Sequence, residues 1–441
     1  MYHCYCLRII MKRFTTIIFS LVFASAFSQQ SAKIFTSDID NFWVAYDSIQ
    51  KTDNHSQKLD LIKRLYTDKA TKGLKAFMKA RNYNDSVYVK NIEQYPKFWN
   101  SVRPNTLTIK TKTKELEASV AKLKELYPEL KDAEMYFTIG GLNSGGTVSG
   151  NMVLVGAELV TGLASTDVSE FKDEWLKGVF AKQSLDNIVS LNIHEYIHTQ
   201  QTGDRRRVLN QSIKEGSCDL IAELVMNKPQ EKKYLSYGAA HADKVKNLFK
   251  KEMFTGNYTN WLYNGRDKGE SADLGYYVGY EISKLYYQNA KDKKKAIKDI
   301  IELNYNSDKA VENFLTQSQF FKEKTRDLMK EYRKKSPAVV KMDPANGSAD
   351  VNPDTKEIRI TFSKEMIPEY YSFNLSDKGK EYMPITKVLG MENTDKTLVL
   401  GVDLKPNKEY EFVLTNKSFR SKEGYSLKEE KLLIKFKTAN K

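Results

Sequence analysis

The sequence predicts an α+β region followed by an all-β sandwich. Two observations carry this. Helical periodicity is interrupted by short alternating runs between about 107 and 155 and then dominates from 188 to 333. After Lys335 the texture changes to short alternating runs set between Pro and Gly turns. A chain of 441 residues is long enough for two or three domains, each with its own core. Three Cys exclude a disulfide-stapled miniprotein, and the 29% of charged residues excludes a polytopic membrane protein. The net charge of +14 is spread among Asp and Glu, the pattern of a solvated surface. No zinc finger, RNP motif or basic aromatic stripe is present, so no nucleic-acid partner is expected.

The first 28 residues read as an export signal. Lys12 and Arg13 precede an apolar run from Ile17 to Phe27, and Ala24, Ser25, Ala26 and Ser28 supply the small residues of a cleavage site. The run is too short for a transmembrane anchor, and no Cys follows it to take a lipid. Met11 serves as well as Met1 for a start. His3, Cys4 and Cys6 would form a metal cluster only if this segment were kept. The expected location is periplasmic or secreted, with Cys218 as the one mature thiol.

Residues 29–335 form the first expected domain. Helical spacing covers 37–51, 56–80 and 84–97. Leu107 and Ile109 alternate with Thr and Lys and predict a strand. Leu116, Val120, Leu123 and Leu126 predict a helix that stops before Pro128. Strands are expected at 135–139 and 152–155, joined by a Gly-rich loop over 140–150. That loop lacks the Lys-Ser/Thr of a phosphate cradle. Helices are expected through 188–197, 212–226, 238–253, 275–288, 293–303 and 308–333. Residues 336–441 form the second domain, with alternation at Ile358, Ile360 and Phe362 and at Tyr410, Phe412 and Leu414. The stretch Asp343-Pro344-Ala345-Asn346-Gly347, then Val351, then 358–363 and Met366, resembles the opening of bacterial Ig-like domains. That resemblance implies a module that contacts protein, carbohydrate or the cell surface.

The chemistry concentrates in His194-Glu195-Tyr196-Ile197-His198. On a helix, two imidazoles four residues apart share a face and reach one ion. Glu195 sits about 100° around the helix, where it can take a proton from water. One Zn²⁺ suits this donor set. Glu215, on the next helix beyond the Gly203-Asp204 turn, is the expected third ligand, with Asp204 as a rival. Asp219, one turn further, can accept the free ring N–H of His194 or His198, and Gly216 lets the two helices approach. The blander reading is a buried helix with two hydrogen-bonded histidines and a solvated acidic face. Cys218 reads as a packed residue, and His55 as a solvated one.

HExxH followed by ExxxD on the next helix resembles the gluzincin, thermolysin-like metallopeptidases. His194 through Gln201, Glu215-Gly216 and the 275–280 segment Gly-Tyr-Tyr-Val-Gly-Tyr are similar to a family of bacterial proteins predicted to be zinc-dependent proteases. The resemblance implies a zincin-like catalytic domain with a small sheet and a mostly helical second half. It implies that His194, His198 and Glu215 hold zinc while Glu195 acts as general base on a peptide or protein substrate. It also implies an edge strand above the metal helix, for which 151–158 is the candidate. His241 and Tyr277, with Tyr276 and Tyr280, are candidates for the oxyanion donor. Two other classes remain open: an inactive zincin-fold binding or adhesion protein, and a structural zinc domain closed by Cys218.

Overall fold

The computed structural model describes residues 33–181, 184–204 and 207–440; the expected export segment, with its His3, Cys4 and Cys6, lies outside the described residues. Helices Ser37–Ile49, Lys72–Arg81, Pro96–Leu107 and Ile109–Leu126 build the N-terminal layer. Their inward faces carry Phe42, Trp43, Phe77, Phe98 and Trp99, all buried. The strand expected at 107–109 is helical instead. Val102, Thr106, Ile109, Leu116, Val120 and Leu123 are buried at helical spacing, and Leu107 is exposed. Packing of that stripe overrides the short alternation of β-branched residues.

The sheet has four strands: β1 (Lys33–Phe35), β2 (Glu134–Thr138), β3 (Gly146–Ser149) and β4 (Met152–Gly156). Their order is β1-β2-β4-β3, with β1, β2 and β4 parallel and β3 antiparallel at the edge. This corrects the expectation for 151–158. Met152–Gly156 is flanked on both sides, and the edge strand arises inside the stretch expected to be loop. The Gly-rich segment before it is anchored by Glu158, which is fully buried and accepts the Gly140 N–H at 2.8 Å. Burial raises the Glu158 pKa to about 7, even though the Gly140 and Leu142 N–H groups favour the carboxylate.

Below the sheet runs the His helix, Asn187–His198, with Ile188, Val189, Ile193 and Ile197 in the core. The Tyr196 hydroxyl accepts the Ala133 N–H at 2.9 Å, just ahead of β2, and pins the helix to the sheet. The Glu helix, Val208–Met226, packs along the tyrosine helix, Leu274–Asn289. Two glycines set that crossing. A Cβ on Gly279 would stand 1.6 Å from the Ser212 carbonyl oxygen, and one on Gly216 would stand 2.1 Å from the Tyr280 nitrogen. Gly216 therefore admits the tyrosine helix, rather than the His helix as the sequence suggested.

The C-terminal part is a sandwich of seven strands, β5 (Val339–Asp343), β6 (Glu357–Phe362), β7 (Phe373–Leu375), β8 (Ile385–Glu392), β9 (Thr397–Val402), β10 (Glu409–Thr415) and β11 (Lys431–Lys437). One sheet runs β5-β6-β9-β8 and the other β11-β10-β7. Alternate residues such as Ile358, Ile360, Phe412, Leu414 and Ile434 fill the space between them. The joint to the helical part is polar. Arg420 pairs with Glu252 at 3.3 Å, and Asn257 Nδ2 donates to the Asn416 carbonyl at 2.8 Å.

Two outcomes follow from this packing. Gly279→Ala forces the two helices apart and costs on the order of 3 kcal/mol, read as a lowered Tm in thermal unfolding. Glu158→Gln changes the pH profile of stability. The folded carboxyl keeps its proton up to about pH 7, whereas the unfolded one loses it near 4.5. Its contribution is complete below about pH 4.5 and lost as the pH rises through 7. Between pH 5 and 8 the wild type should therefore lose on the order of 3 kcal/mol relative to Glu158→Gln. Urea titrations at stepped pH measure the difference, and parallel curves would contradict it.

Candidate metal centre

His194 and His198 project one turn apart near the C-terminus of the His helix, with ring centroids 4.8 Å apart. Their Nε2 atoms lie 3.2 Å from each other. Glu215 Oε2 lies 3.1 Å from His198 Nε2 and 3.5 Å from His194 Nε2. Three atoms bound tetrahedrally to one ion at about 2.1 Å would be spaced about 3.3–3.4 Å from one another. The three observed separations straddle that value.

The opposite ring nitrogens explain why the lone pairs converge. His194 Nδ1 lies 2.7 Å from Asp219 Oδ1, and His198 Nδ1 lies 2.8 Å from Gln201 Oε1. Gln201 Nε2 donates to the Lys214 carbonyl and Ser217 Oγ, both at 3.0 Å, which turns its oxygen toward the ring. Both partners are acceptors, so in the neutral rings each Nδ1 carries the proton and each Nε2 offers its lone pair. Asp219, fully buried, is itself held by Lys232 and by the Tyr234 hydroxyl at 2.6 Å.

The charges are strongly coupled. Burial opposes a charged His194, yet the neighbouring Asp219 carries its pKa up to about 9. Burial likewise opposes charge on His198, and the Cys218 sulfur and the Glu215 carboxylate carry it well above the usual imidazole range. Burial would raise Glu215, but the two imidazoles hold it well below the ordinary carboxylate range. Such a set favours a cation at its centre, and its chemistry fits a divalent ion.

His194, His198 and Cys218 also offer ligand atoms within 4.8 Å of one another. The sulfur, however, lies 3.5 Å from His198 Nδ1, the nitrogen that Gln201 occupies. An ion between the two Nε2 atoms and Glu215 is on the other side of that ring, so the glutamate is the better third ligand. Asp204 is exposed beside Lys214 and belongs to the surface.

Glu195 is half-buried next to His194, and its carboxyl carbon lies 3.9 Å from where a Cβ on Gly146 of β3 would stand. The structure does not bring His241 or Tyr277 to the ligands. The His241 ring stacks on Tyr237 at 4.2 Å and its Nδ1 donates to the Tyr237 carbonyl. Tyr277 points about 100° away from Tyr276 and covers Gly238. Tyr280 donates to Glu223 at 2.8 Å. Tyr276 is the tyrosine of this helix that faces the site, lying over the His194 ring at 6.4 Å.

The phenol that touches a ligand is Tyr263, which was not expected. Its hydroxyl donates to Glu215 Oε1 at 2.5 Å, while the side chain remains 57% exposed. It has a left-handed backbone, φ 59°, unusual for a bulky residue. Asn264 and Asp273 clamp the loop reciprocally. The Asn264 N–H donates to Asp273 Oδ1 at 3.0 Å and the Asp273 N–H donates to Asn264 Oδ1 at 2.8 Å. No spacing rule links Tyr263 to Glu215. Gln201, three residues past His198, was legible as one more turn on the same face.

Comparison with known proteins gives two family matches. Residues 25–264 match the family described as gliding motility protein GldB, a stretch that takes in His194, Glu195, His198, Glu215 and Tyr263. Residues 333–438 match the bacterial Ig-like domain. Neither description names a metallopeptidase. No curated protein matches the chain. Among solved structures, CopC from Methylosinus trichosporium OB3b is 18% identical over 24% of this chain and 94% of that one, with a TM-score of 0.19. The surface layer protein SbsC, domains 1–6, is 17% identical, covering 60% of this chain and 36% of that one, with a TM-score of 0.17. At those scores neither likeness carries an argument.

The hydrogen bond behind His194 gives a direct test. Asp219→Asn should weaken zinc binding about 10–100-fold in a chelator competition, because the Nδ1 proton loses its anionic acceptor. Cys218→Ser should leave the affinity unchanged. The reverse ranking would move the third ligand to sulfur.

Proposed function

The chain belongs to the family of the gliding motility protein GldB, and from its converged donor set we propose that it is an exported zinc-dependent hydrolase that cuts peptide bonds. The single observation that carries this reading is the convergence of His194 Nε2, His198 Nε2 and Glu215 Oε2, with Glu195 next to His194 in sequence and its carboxyl carbon 3.9 Å from where a Cβ on Gly146 of the edge strand would stand. The sequence resemblance to gluzincin peptidases agrees with that placement. The family's description ties it to gliding motility, so the substrates proposed are exported proteins that serve movement.

His194, His198 and Glu215 would hold the ion, with Asp219 and Gln201 fixing the rings. When bound, the ion supplies Lewis-acid polarisation of a water and of the scissile carbonyl. Glu195 removes the water proton and returns it to the leaving nitrogen. The Tyr263 hydroxyl swings from Glu215 to donate to the carbonyl oxygen as negative charge builds there. The edge strand β3 receives an extended peptide by strand addition. The Gly146 carbonyl is not available for this, because Ser144 and Arg81 already donate to it.

Glu195→Gln should keep stoichiometric zinc and lower peptide kcat/KM about 10²–10⁴-fold. Tyr263→Phe should lower kcat about 10²–10³-fold with little change in KM. A peptide-library digest read by mass spectrometry, with and without chelator, measures both. A zinc-loaded wild type that cuts nothing would leave a binding protein, and undiminished turnover in Glu195→Gln would remove the assigned base.

A further inference from the structure

A cleft of about 470 Å³ lies where the helical part meets the sandwich. Lys244, Leu248, Trp261 and Lys268 line it from the helical side, and Tyr370, Lys417 and Arg420 from the sandwich. Its one lining acid among the described residues, Glu252, is already committed. It pairs with Arg420 and accepts from Trp261 Nε1 at 3.3 Å and Asn260 Nδ2 at 3.1 Å. Lys244, Lys268 and Lys417 are exposed and make no ion pair among the described residues. The cleft therefore has a floor neutralised by an internal ion pair and a rim of three ammonium groups that are unpaired among the described residues. Leu248 and Tyr370 are 46% and 48% exposed and add apolar surface between them.

Two segments join this cleft to the metal centre. Trp261 lines the cleft, and Tyr263, two residues on, touches Glu215. Tyr234 binds Asp219, and Tyr237, less than one turn later on the same helix, lines the cleft. The cleft and the ligand cluster therefore share the segment 261–263 and the helix Lys233–Ala240. We infer that the cleft between the helical part and the sandwich binds an acidic peptide segment, with Lys244, Lys268 and Lys417 reading its carboxylates and Leu248 and Tyr370 its apolar side chains. The inference deepens the proposed function by naming a substrate class, and as a substrate site it rests on that reading. As a binding site it stands on the cleft alone.

The test separates the two. The full chain carrying Glu195→Gln is titrated into a fluorescein-labelled peptide of alternating Glu and Leu, and into the same peptide with Gln for Glu. Binding is read by anisotropy and no cleavage is needed. The acidic peptide should bind about tenfold or more tighter, and added salt should erase the difference. Lys244→Gln, Lys268→Gln and Lys417→Gln together should cost about tenfold, with an unchanged Tm showing that the fold is kept. Charge reversal of Lys330, which does not line the cleft, should cost nothing. Equal binding of the two peptides, or no loss in the triple variant, overturns the inference. Tight binding of polygalacturonate with none of the acidic peptide also overturns it, in favour of a glycan. If the wild type cuts no peptide yet these affinities hold, the hydrolase reading fails and the acidic-peptide site remains.

Discussion

Two imidazole lone pairs that face each other across 3.2 Å, with a buried carboxylate beside both, repel one another unless something positive lies between them. Much of the surrounding structure serves to hold that arrangement. Asp219 and Gln201 take the outer ring protons, and Lys232 and Tyr234 hold Asp219 in turn. The glycine contacts at Gly216 and Gly279 let the tyrosine helix come close enough to lay Tyr276 over His194. Each of these contacts fixes the direction of a ring or the distance of a backbone. The donor set is thereby held in one geometry, and less ordering would be left to oppose the binding of an ion.

The site was more legible than the fold around it, and the reason is periodicity. His194, His198 and their neighbour Glu195 obey the 3.6-residue repeat, so their shared face follows from spacing. Glu215 and Asp219 do the same on their own helix. What spacing cannot give is which face of one helix meets which face of another. Gly216 was read toward the His helix but contacts the tyrosine helix, and Tyr277 was preferred although Tyr276 is the residue turned to the site. Tyr263 lies on an irregular loop, 48 residues from the carboxylate it touches, and its place depends on the Asn264–Asp273 clamp. The strand misreadings have a similar origin. The alternation at 107–109 was only two apolar residues long, and the edge strand β3, Gly146–Ser149, has a single strongly apolar residue, Val148.

The sandwich is joined to the helical part mainly through polar contacts. Arg420, Asn416 and the Glu423 carbonyl meet Glu252, Asn257 and Lys251. Such a joint is directional, and it fixes Tyr370 and Lys417 against the loop that carries Trp261 and Tyr263. The Ig-like module thereby supplies one wall of the cleft, through Tyr370, Lys417 and Arg420.

X-ray absorption at the zinc edge of the full chain, loaded with one equivalent of zinc, tests the central claim most directly. The account predicts only nitrogen and oxygen scatterers at about 2.0–2.1 Å, with the multiple-scattering signature of two imidazoles. A sulfur scatterer at about 2.3 Å, or a spectrum of hydrated zinc without imidazole, would contradict it.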